Sequence, residues 1–167
     1  MKRVWIWLSA VAAALVLQTL LPFEHTDVAG LVPVEALIVS VENGQIRLKG
    51  ADCTGTGKTW DEAVTDLHRS AKGTLFLGTA EHVILIGEAE SLVLQVAQSE
   101  ILRPAAEVCR GEGQLPAAKD IAAYLAAHNS GVTLQHVQAA ALRGNVPTLP
   151  VLKQTEGGLR LYGTQNR

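Results

Sequence analysis

The chain has 167 residues, of which 48% are hydrophobic, with a formal net charge of -2 and a pI near 6.2. This balance argues against nucleic-acid binding, because the sequence has no basic stripe to neutralise phosphates. The two cysteines, Cys53 and Cys109, are too few for a disulfide framework. Outside the cell they either pair with each other or stay as free thiols.

The N-terminus combines a basic start with a long apolar run. Lys2 and Arg3 are followed by residues 4–21, which carry no charge. A bilayer span needs about 20 apolar residues, so the run lies at the lower limit for a transmembrane helix. A secretory signal has the same form, but the run ends in TLLP and not in an A-x-A cleavage pattern. We therefore expect an uncleaved signal anchor over residues 1–22, with a cleaved signal as the alternative.

The basic start also predicts the location of the rest of the chain. Lys2 and Arg3 should stay in the cytoplasm, so the chain after Pro22 is expected on the extracytoplasmic side of the cell membrane in a single-pass topology. Residues 23–31 are predicted to form a short tether. Residues 32–167 are predicted to form a single extracytoplasmic domain, which is large enough to build one hydrophobic core.

The domain begins with a predicted β-hairpin. Residues 34–41 are an apolar run rich in β-branched residues, and residues 45–50 alternate polar and apolar side chains. The intervening Asn43-Gly44 is a strong hairpin signal. The first strand is predicted to be buried on both faces, and the second to expose one face to water.

Residues 55–59 have the sequence GTGKT, which raises the hypothesis of a phosphate-binding loop. A Walker A loop requires a glycine five positions before the Gly-Lys pair, and that position is Asp52. A carboxylate there would repel a phosphate, so the spacing argues against a nucleotide site. Gly55 and Gly57 are interpreted as turn residues that lead into a helix.

That helix has clear start and end signals. Thr59 and Glu62 have the spacing of a capping box, and Asp61 is favourable at the positive end of the helix dipole. Apolar residues recur at helical spacing and predict one buried face. Lys72-Gly73 is expected to end the helix. The predicted apolar face comprises Trp60, Ala63, Val64, Leu67 and Ala71.

The remaining elements are predicted from apolar runs and breakers. Strands are expected over residues 74–78, 82–87 and 105–109, the last followed by a turn at 111–113, and helices over residues 88–98, 116–128 and 133–142. Residues 151–153 and 159–162 flank a glycine turn and predict a second hairpin. The fold class is α+β, with a mixed sheet and about four helices preceded by the N-terminal anchor helix.

Side chains with catalytic potential are sparse. None of the five histidines (His25, His68, His82, His128 and His136) has a partner at the i, i+4 spacing that places metal ligands on one helix face. His128 and His136 flank a turn and are the pair able to approach each other, but neither has an acidic neighbour to orient it. The sequence therefore predicts no catalytic, cofactor-binding or metal-binding residues.

The central stretch resembles a known family. Gly57-Lys58-Thr59, Glu62-Ala63, Leu67, residues 75–78 and residues 83–88 follow the order seen in the first extracytoplasmic domain of Ger(x)C-type spore germination proteins. Residues 149–152 and 158–164 are similar to the strand pair that closes that domain. The resemblance spans most of residues 33–164.

The resemblance implies a non-enzymatic role, because it carries over no catalytic residue. Such proteins are membrane-associated subunits of spore germinant receptors that act with integral-membrane partner subunits. They usually have a lipid-modified cysteine after the signal and further domains after the first. Here the first cysteine is Cys53 and the sequence ends at Arg167, so we expect the anchor to replace the lipid in a shortened relative.

These observations lead to one hypothesis and two alternatives. The hypothesis is a membrane-anchored extracytoplasmic module that makes protein–protein contacts in spore germination, without enzymatic activity, nucleotide or nucleic acid. The first alternative is a secreted or anchored hydrolase-like enzyme that uses His128 or His136. The second is an extracytoplasmic small-molecule-binding module.

Overall fold

The structure is a computed structural model that describes residue 7, residues 30–145 and residues 147–163. The predicted anchor at 1–22, apart from residue 7, and residues 23–29 of the predicted tether lie outside the described residues. Among those described, no helix has the length and apolar character needed to cross a bilayer. The chain divides into two compact units, residues 1–30 and 31–167, and the second is described below.

Residues 31–145 and 147–163 form nine strands and four helices. The strands are β1 (Leu31–Pro33), β2 (Ala36–Glu42), β3 (Gln45–Gly50), β4 (Cys53–Gly57), β5 (Thr74–Phe76), β6 (His82–Ile86), β7 (Glu107–Glu112), β8 (Val151–Thr155) and β9 (Gly158–Tyr162). The helices are α1 (Trp60–Ser70), α2 (Val93–Ala97), α3 (Ala118–Ala127) and α4 (Leu134–Leu142), with short 3-10 helices at Leu77–Thr79 and Gly87–Leu92.

Seven strands form a mixed sheet in the order β4-β3-β2-β6-β7-β8-β9. The four central strands, β2, β6, β7 and β8, are parallel, and the sheet is extended in antiparallel fashion by β3 and β4 on one side and by β9 on the other. β1 and β5 pair in parallel as a separate small sheet. The predicted α+β class with a mixed sheet and four helices is confirmed.

Helices cover both faces of the sheet because the central strands are apolar on both sides. One core joins α1, α2 and α4 to side chains such as Val39 and Leu85. The other core joins α3 to side chains such as Ile38 and Ile84. Alternating residues of a strand point to opposite faces, so β2 and β6 each contribute to both cores. This explains the unbroken apolar runs in the sequence.

The first hairpin is confirmed. β2 and β3 pair in antiparallel register, and β3 alternates exposed and buried residues. Asn43 and Gly44 have φ values of 52° and 74°, as a two-residue turn of type I′ requires. The second hairpin, β8–β9, and the helices α3 and α4 are also confirmed, with boundaries within about two residues of the predicted ones.

Several predicted segments differ from the structure. The strand expected over residues 74–78 ends at Phe76, where the 3-10 helix Leu77–Thr79 begins. Residues 111–113 were expected to form a turn, but β7 continues through Glu112 because Gly111 and Glu112 pair with β8. Residues 88–98 were expected to form one helix. Most of the first half is instead the 3-10 helix Gly87–Leu92, which precedes the short α2.

The prediction of a turn at Gly55 and Gly57 is wrong. Both lie in β4, which pairs with β3 along its whole length. Their role is steric, because a Cβ atom on Gly55 would lie 2.2 Å from the backbone nitrogen of Leu67, and one on Gly57 would lie 2.4 Å from that of Ala63. The glycines therefore allow α1 to pack directly against the strand.

The start of α1 follows the prediction in part. The Thr59 side chain accepts a hydrogen bond from the Glu62 backbone N–H, as in a capping box. The Glu62 carboxylate, however, accepts from the N–H of Lys58, one residue before Thr59. α1 buries Trp60, Ala63 and Leu67, as its spacing predicts, and it ends at Ser70, earlier than Lys72-Gly73.

The close contact of β4 with α1 predicts that alanine destabilises the domain much more at Gly55 than at an exposed glycine. Replacing Gly55 with alanine should lower the free energy of unfolding by about 3 kcal/mol, because the nearest atoms are helix backbone that cannot move aside. Thermal melting followed by circular dichroism measures the loss. Gly157→Ala is the control, since its nearest neighbour is the flexible end of Arg160 at 3.8 Å. Equal melting temperatures for the two variants would contradict the packing argument.

Candidate functional site

The two histidines of the predicted enzyme alternative have structural roles. The ring of His128 stacks on Tyr124, with centroids 4.1 Å apart, and its Nδ1 lies 2.9 Å from the carbonyl oxygen of Tyr124. His136 completes a capping box with Thr133 at the start of α4. The Thr133 N–H donates to Nδ1 of His136 over 3.3 Å, so this nitrogen acts as an acceptor. Each of the two side chains thus has a structural contact within the fold.

The GTGKT stretch also uses its backbone groups within the fold. The N–H of Thr56 donates to the Asp66 carboxylate over 2.9 Å, and that of Lys58 donates to the Glu62 carboxylate over 2.8 Å. A phosphate loop presents such N–H groups to its anion. Here carboxylates of α1 occupy them, which agrees with the argument from spacing.

Sequence reasoning missed the most unusual polar group of the domain, His82. It is the first residue of β6 and is only 5% exposed. Within the described residues, neither of its ring nitrogens has a hydrogen-bond partner. A buried polar group without a partner costs free energy, so such a group calls for a specific explanation. The sequence did contain a signal that His82 is buried. It begins the apolar run 82–87, where the alternation of a strand puts its side chain on the same face as that of Ile84.

Glu107 is the nearest acidic group to His82. The parallel register places the two residues side by side on β6 and β7, and Nδ1 of His82 lies 3.7 Å from Oε2 of Glu107. The same oxygen accepts the N–H of Ser130 over 3.0 Å. Burial lowers the pKa of His82 below its ordinary value of 6.5, and the Glu107 carboxylate partly offsets this effect. His82 is therefore held neutral beside a carboxylate.

A cavity adjoins His82 at the amino-terminal edge of the parallel strands. Its volume is about 320 Å³. Its lining combines side chains of this edge with the alanine-rich surface of α3: Glu35, Thr79, Glu81, His82, Ala122, Ala123 and Ala126. Alanines leave the space open because they have no atoms beyond Cβ.

A second cavity of about 460 Å³ shares Glu35 and Ala122 with the first. Lys49 and Lys119 line it together with Glu35 and Asp52. Both cavities thus combine small apolar walls with a few charged groups, which is the usual character of a small-molecule site. The two carboxylates of the first cavity, Glu35 and Glu81, favour a cationic group, although Glu81 also pairs with Arg103 over 3.3 Å.

A charged cluster occupies the opposite, carboxyl-terminal edge of the sheet. Arg110 pairs with Glu90 over 3.2 Å and also with Glu112, which in turn pairs with Lys153. The hydrogen bond from Lys153 is the largest cause that lowers the pKa of Glu112. All four side chains are at least one-third exposed, so the pairs contribute little stability. Their charges balance among themselves.

The two cysteines are free thiols. Cys53 begins β4 and Cys109 lies within β7, with three strands between them in the sheet. Strands are spaced about 4.8 Å apart, so the two positions are roughly 19 Å apart, far beyond the reach of a disulfide. Of the alternatives left open by the sequence, the structure gives the unpaired one.

Within residues 30–145 and 147–163, no three His, Cys, Asp or Glu side chains are grouped closely enough to bind a metal ion together. No protein-family model, curated protein or solved structure matches this chain. The candidate site is therefore defined by its geometry alone, as His82, Glu107 and the cavity beside them.

The neutral state of His82 predicts an acid-dependent loss of stability. The unfolded chain binds a proton near pH 6.5 and the folded chain only at lower pH, so the free energy of unfolding should fall as pH drops below 6.5. His82→Phe should remove this part of the pH dependence, as measured by urea unfolding across the pH range. His68→Gln, at an exposed position on α1, is the control and should keep it.

Glu107→Gln tests the same pair from the side of the carboxylate. Removing the carboxylate takes away the attraction that raises the pKa of His82, so the loss of stability from His82 should extend to lower pH. The carboxylates of Glu81 and Glu35 also raise this pKa and Arg103 lowers it, and all three remain in the variant. An unchanged pH profile in both His82→Phe and Glu107→Gln would contradict the assignment.

Proposed function

We propose that this chain is a membrane-anchored, extracytoplasmic, non-enzymatic module that acts through contacts with integral-membrane receptor subunits, as in spore germination. The observation that carries the proposal is the ordered resemblance of residues 57–88 and 149–164 to the first domain of Ger(x)C-type proteins. The basic start and the uncharged run at residues 4–21 support the anchor.

The residues that carry the resemblance have structural roles in packing and helix capping. Gly57 and Ala63 meet at the contact between β4 and α1, Thr59 caps α1, and Leu67 is fully buried. These residues maintain packing and helix geometry and do not converge on a reactive group. A resemblance carried by packing residues supports a shared architecture, and it agrees with a family that acts by binding.

The structural roles of His128 and His136 also favour a binding role over the hydrolase alternative. A catalytic histidine is typically oriented by a carboxylate on one ring nitrogen while the other nitrogen faces the substrate. Here Nδ1 of His136 and Nδ1 of His128 contact backbone groups, and within the described residues neither ring forms an ion pair with a carboxylate. The enzyme alternative therefore has less support than the binding role.

A small-molecule-binding module is the second candidate function. The specific observation in its favour is the pair of adjoining cavities beside His82, with charged groups set among alanines. This function is compatible with membrane anchoring, since a ligand in these cavities would lie in an extracytoplasmic domain. The two candidates differ in whether the occupant is a protein or a small molecule.

The proposed topology predicts the outcome of protease treatment. Protease added to intact protoplasts should digest residues 32–167, and the chain should float with the membrane fraction after a carbonate wash. A cytoplasmic protein that stays intact serves as the control for protoplast integrity. Protection of the domain in sealed protoplasts would be incompatible with an extracytoplasmic location.

The proposed partner contact predicts which part of the chain is needed for co-isolation. After cross-linking in native membranes, integral-membrane receptor subunits should co-purify with the chain, and spores that lack it should germinate more slowly. A variant with an unrelated membrane span in place of residues 1–22 should keep the partner. A variant without residues 32–167 should lose it, and retention there would place the contact in the anchor.

The enzyme alternative predicts a different result for histidine variants. If the binding role is correct, combined His128→Ala and His136→Ala substitutions should leave germination and metal content unchanged. Thermal melting of the same variant controls for lost structure, because His136 belongs to the capping box of α4. A lost phenotype with unchanged melting would revive the enzyme alternative.

A further inference from the structure

Two exposed apolar residues are register partners on the small sheet formed by β1 and β5, and the backbone of a third lies nearby. Phe76 of β5 is 52% exposed, and its register partner on β1 is the exposed Pro33. Ile101 is 38% exposed. A Cβ atom on Gly78 would lie 3.3 Å from the Phe76 ring and 3.9 Å from the Ile101 carbonyl oxygen, so the Phe76 ring and the Ile101 backbone both border Gly78. We refer to Pro33, Phe76 and Ile101 as the apolar patch.

The grouping distinguishes these side chains from ordinary surface residues. Within residues 30–145 and 147–163, the large apolar side chains that are exposed are Phe76, Ile101, Leu142 and Tyr162. Single exposed apolar residues are common and need no explanation, whereas a contiguous apolar surface is the form that a protein or membrane contact takes. Two of the four lie together in the apolar patch.

The length of the preceding chain indicates what covers the patch. Nine residues, 22–30, separate the end of the uncharged run from Leu31, where β1 begins. Even fully extended, this segment spans at most roughly 30–32 Å. Phe76 lies two residues along and one strand across from Leu31, a distance of about 8 Å. The apolar patch is therefore tied to the anchor by a short length of chain.

We propose that the apolar patch rests on the interfacial region of the lipid bilayer that holds the anchor. This inference depends on the proposed membrane anchor and adds an orientation to it. A patch of this size would bind a membrane weakly by itself, but a short tether gives it a high effective concentration at the bilayer surface. Aromatic and aliphatic side chains are favourable at that depth.

The charges around the patch suggest an apolar and not an electrostatic contact. Lys72 precedes β5 and Glu100 precedes Ile101, and both are exposed. Their opposite charges cancel to first order, so the patch has no strong preference for anionic lipids. The contact should therefore persist at high salt, in contrast to polybasic membrane binding.

A site-specific label on the full chain tests this orientation. The background variant is Cys53→Ser, which leaves Cys109. That thiol is buried and burial raises its pKa to about 12, so it stays unlabelled near neutral pH. A fluorophore is attached at Phe76→Cys or, as a matched control, at Gln45→Cys. Gln45 is exposed at the start of β3, where it pairs with Glu42, and Glu42 lies roughly 20 Å along β2 from Ala36, the end of that strand that follows β1.

The labelled chains are reconstituted into phosphatidylcholine vesicles that contain a lipid-borne quencher, and flotation is measured on the same samples. We expect the chain to float and the label at position 76 to be quenched several-fold more strongly than the label at position 45, at low and high salt. A floating chain with equal quenching at both positions overturns the orientation while leaving the anchor intact. A chain that does not float overturns the anchor and the orientation together.

Hydrogen exchange on the unlabelled chain guards against an effect of the fluorophore. Backbone amides of residues 74–78 should exchange several-fold more slowly in lipid vesicles for the wild-type chain than for a Phe76→Ser, Ile101→Ser variant. Exposed residues are replaced, so the variant is expected to fold. Slower exchange that occurs only in native membranes, and not in vesicles of lipid alone, would assign the patch to a protein and overturn the lipid contact.

Discussion

The direct contact between α1 and β4 is the constraint on which the rest of this fold depends. β4 is an edge strand, and such edges carry unpaired backbone groups that invite association with other chains. Because Gly55 and Gly57 have no side chains, α1 comes close enough for its carboxylates to bind backbone N–H groups of the 56–58 segment. The same approach buries Trp60 and Leu67 against the sheet. One steric requirement thus protects the edge and fixes one side of the core.

Local signals in the sequence predict the elements that depend on local contacts. The Asn43-Gly44 turn, the Thr59 cap and the periodicity of α3 and α4 involve residues close together in the chain. β4 was missed because its glycines have the composition of a turn, and only a helix lying across the strand explains them. The end of β7 was also misplaced, because Gly111 pairs with β8 about 40 residues later. Tertiary contacts decided both segments.

The candidate site could be predicted from the sequence even less well than these segments. His82 and Glu107 are 25 positions apart, and they become neighbours through the parallel register of β6 and β7, which periodicity does not reveal. Their 3.7 Å separation is longer than a hydrogen bond, so the fold bears the cost of a buried imidazole, about 1–3 kcal/mol, without full compensation. Natural proteins tend to break such local rules where a function requires it. The adjoining cavity makes this edge of the sheet the place where a function is best sought.

The apolar patch and the cavities belong to the same edge of the domain. Pro33 contributes to both the patch and the larger cavity, and Thr79 lines the smaller cavity while its hydroxyl accepts the N–H of Val34. A bilayer contact at the patch would therefore hold the cavities near the membrane surface. In that proposed orientation, Glu35, which lines both cavities, would lie on the side of the domain near the membrane. Membrane orientation thus links the proposed anchor to the choice of partner, because it determines which surfaces an integral-membrane protein can contact.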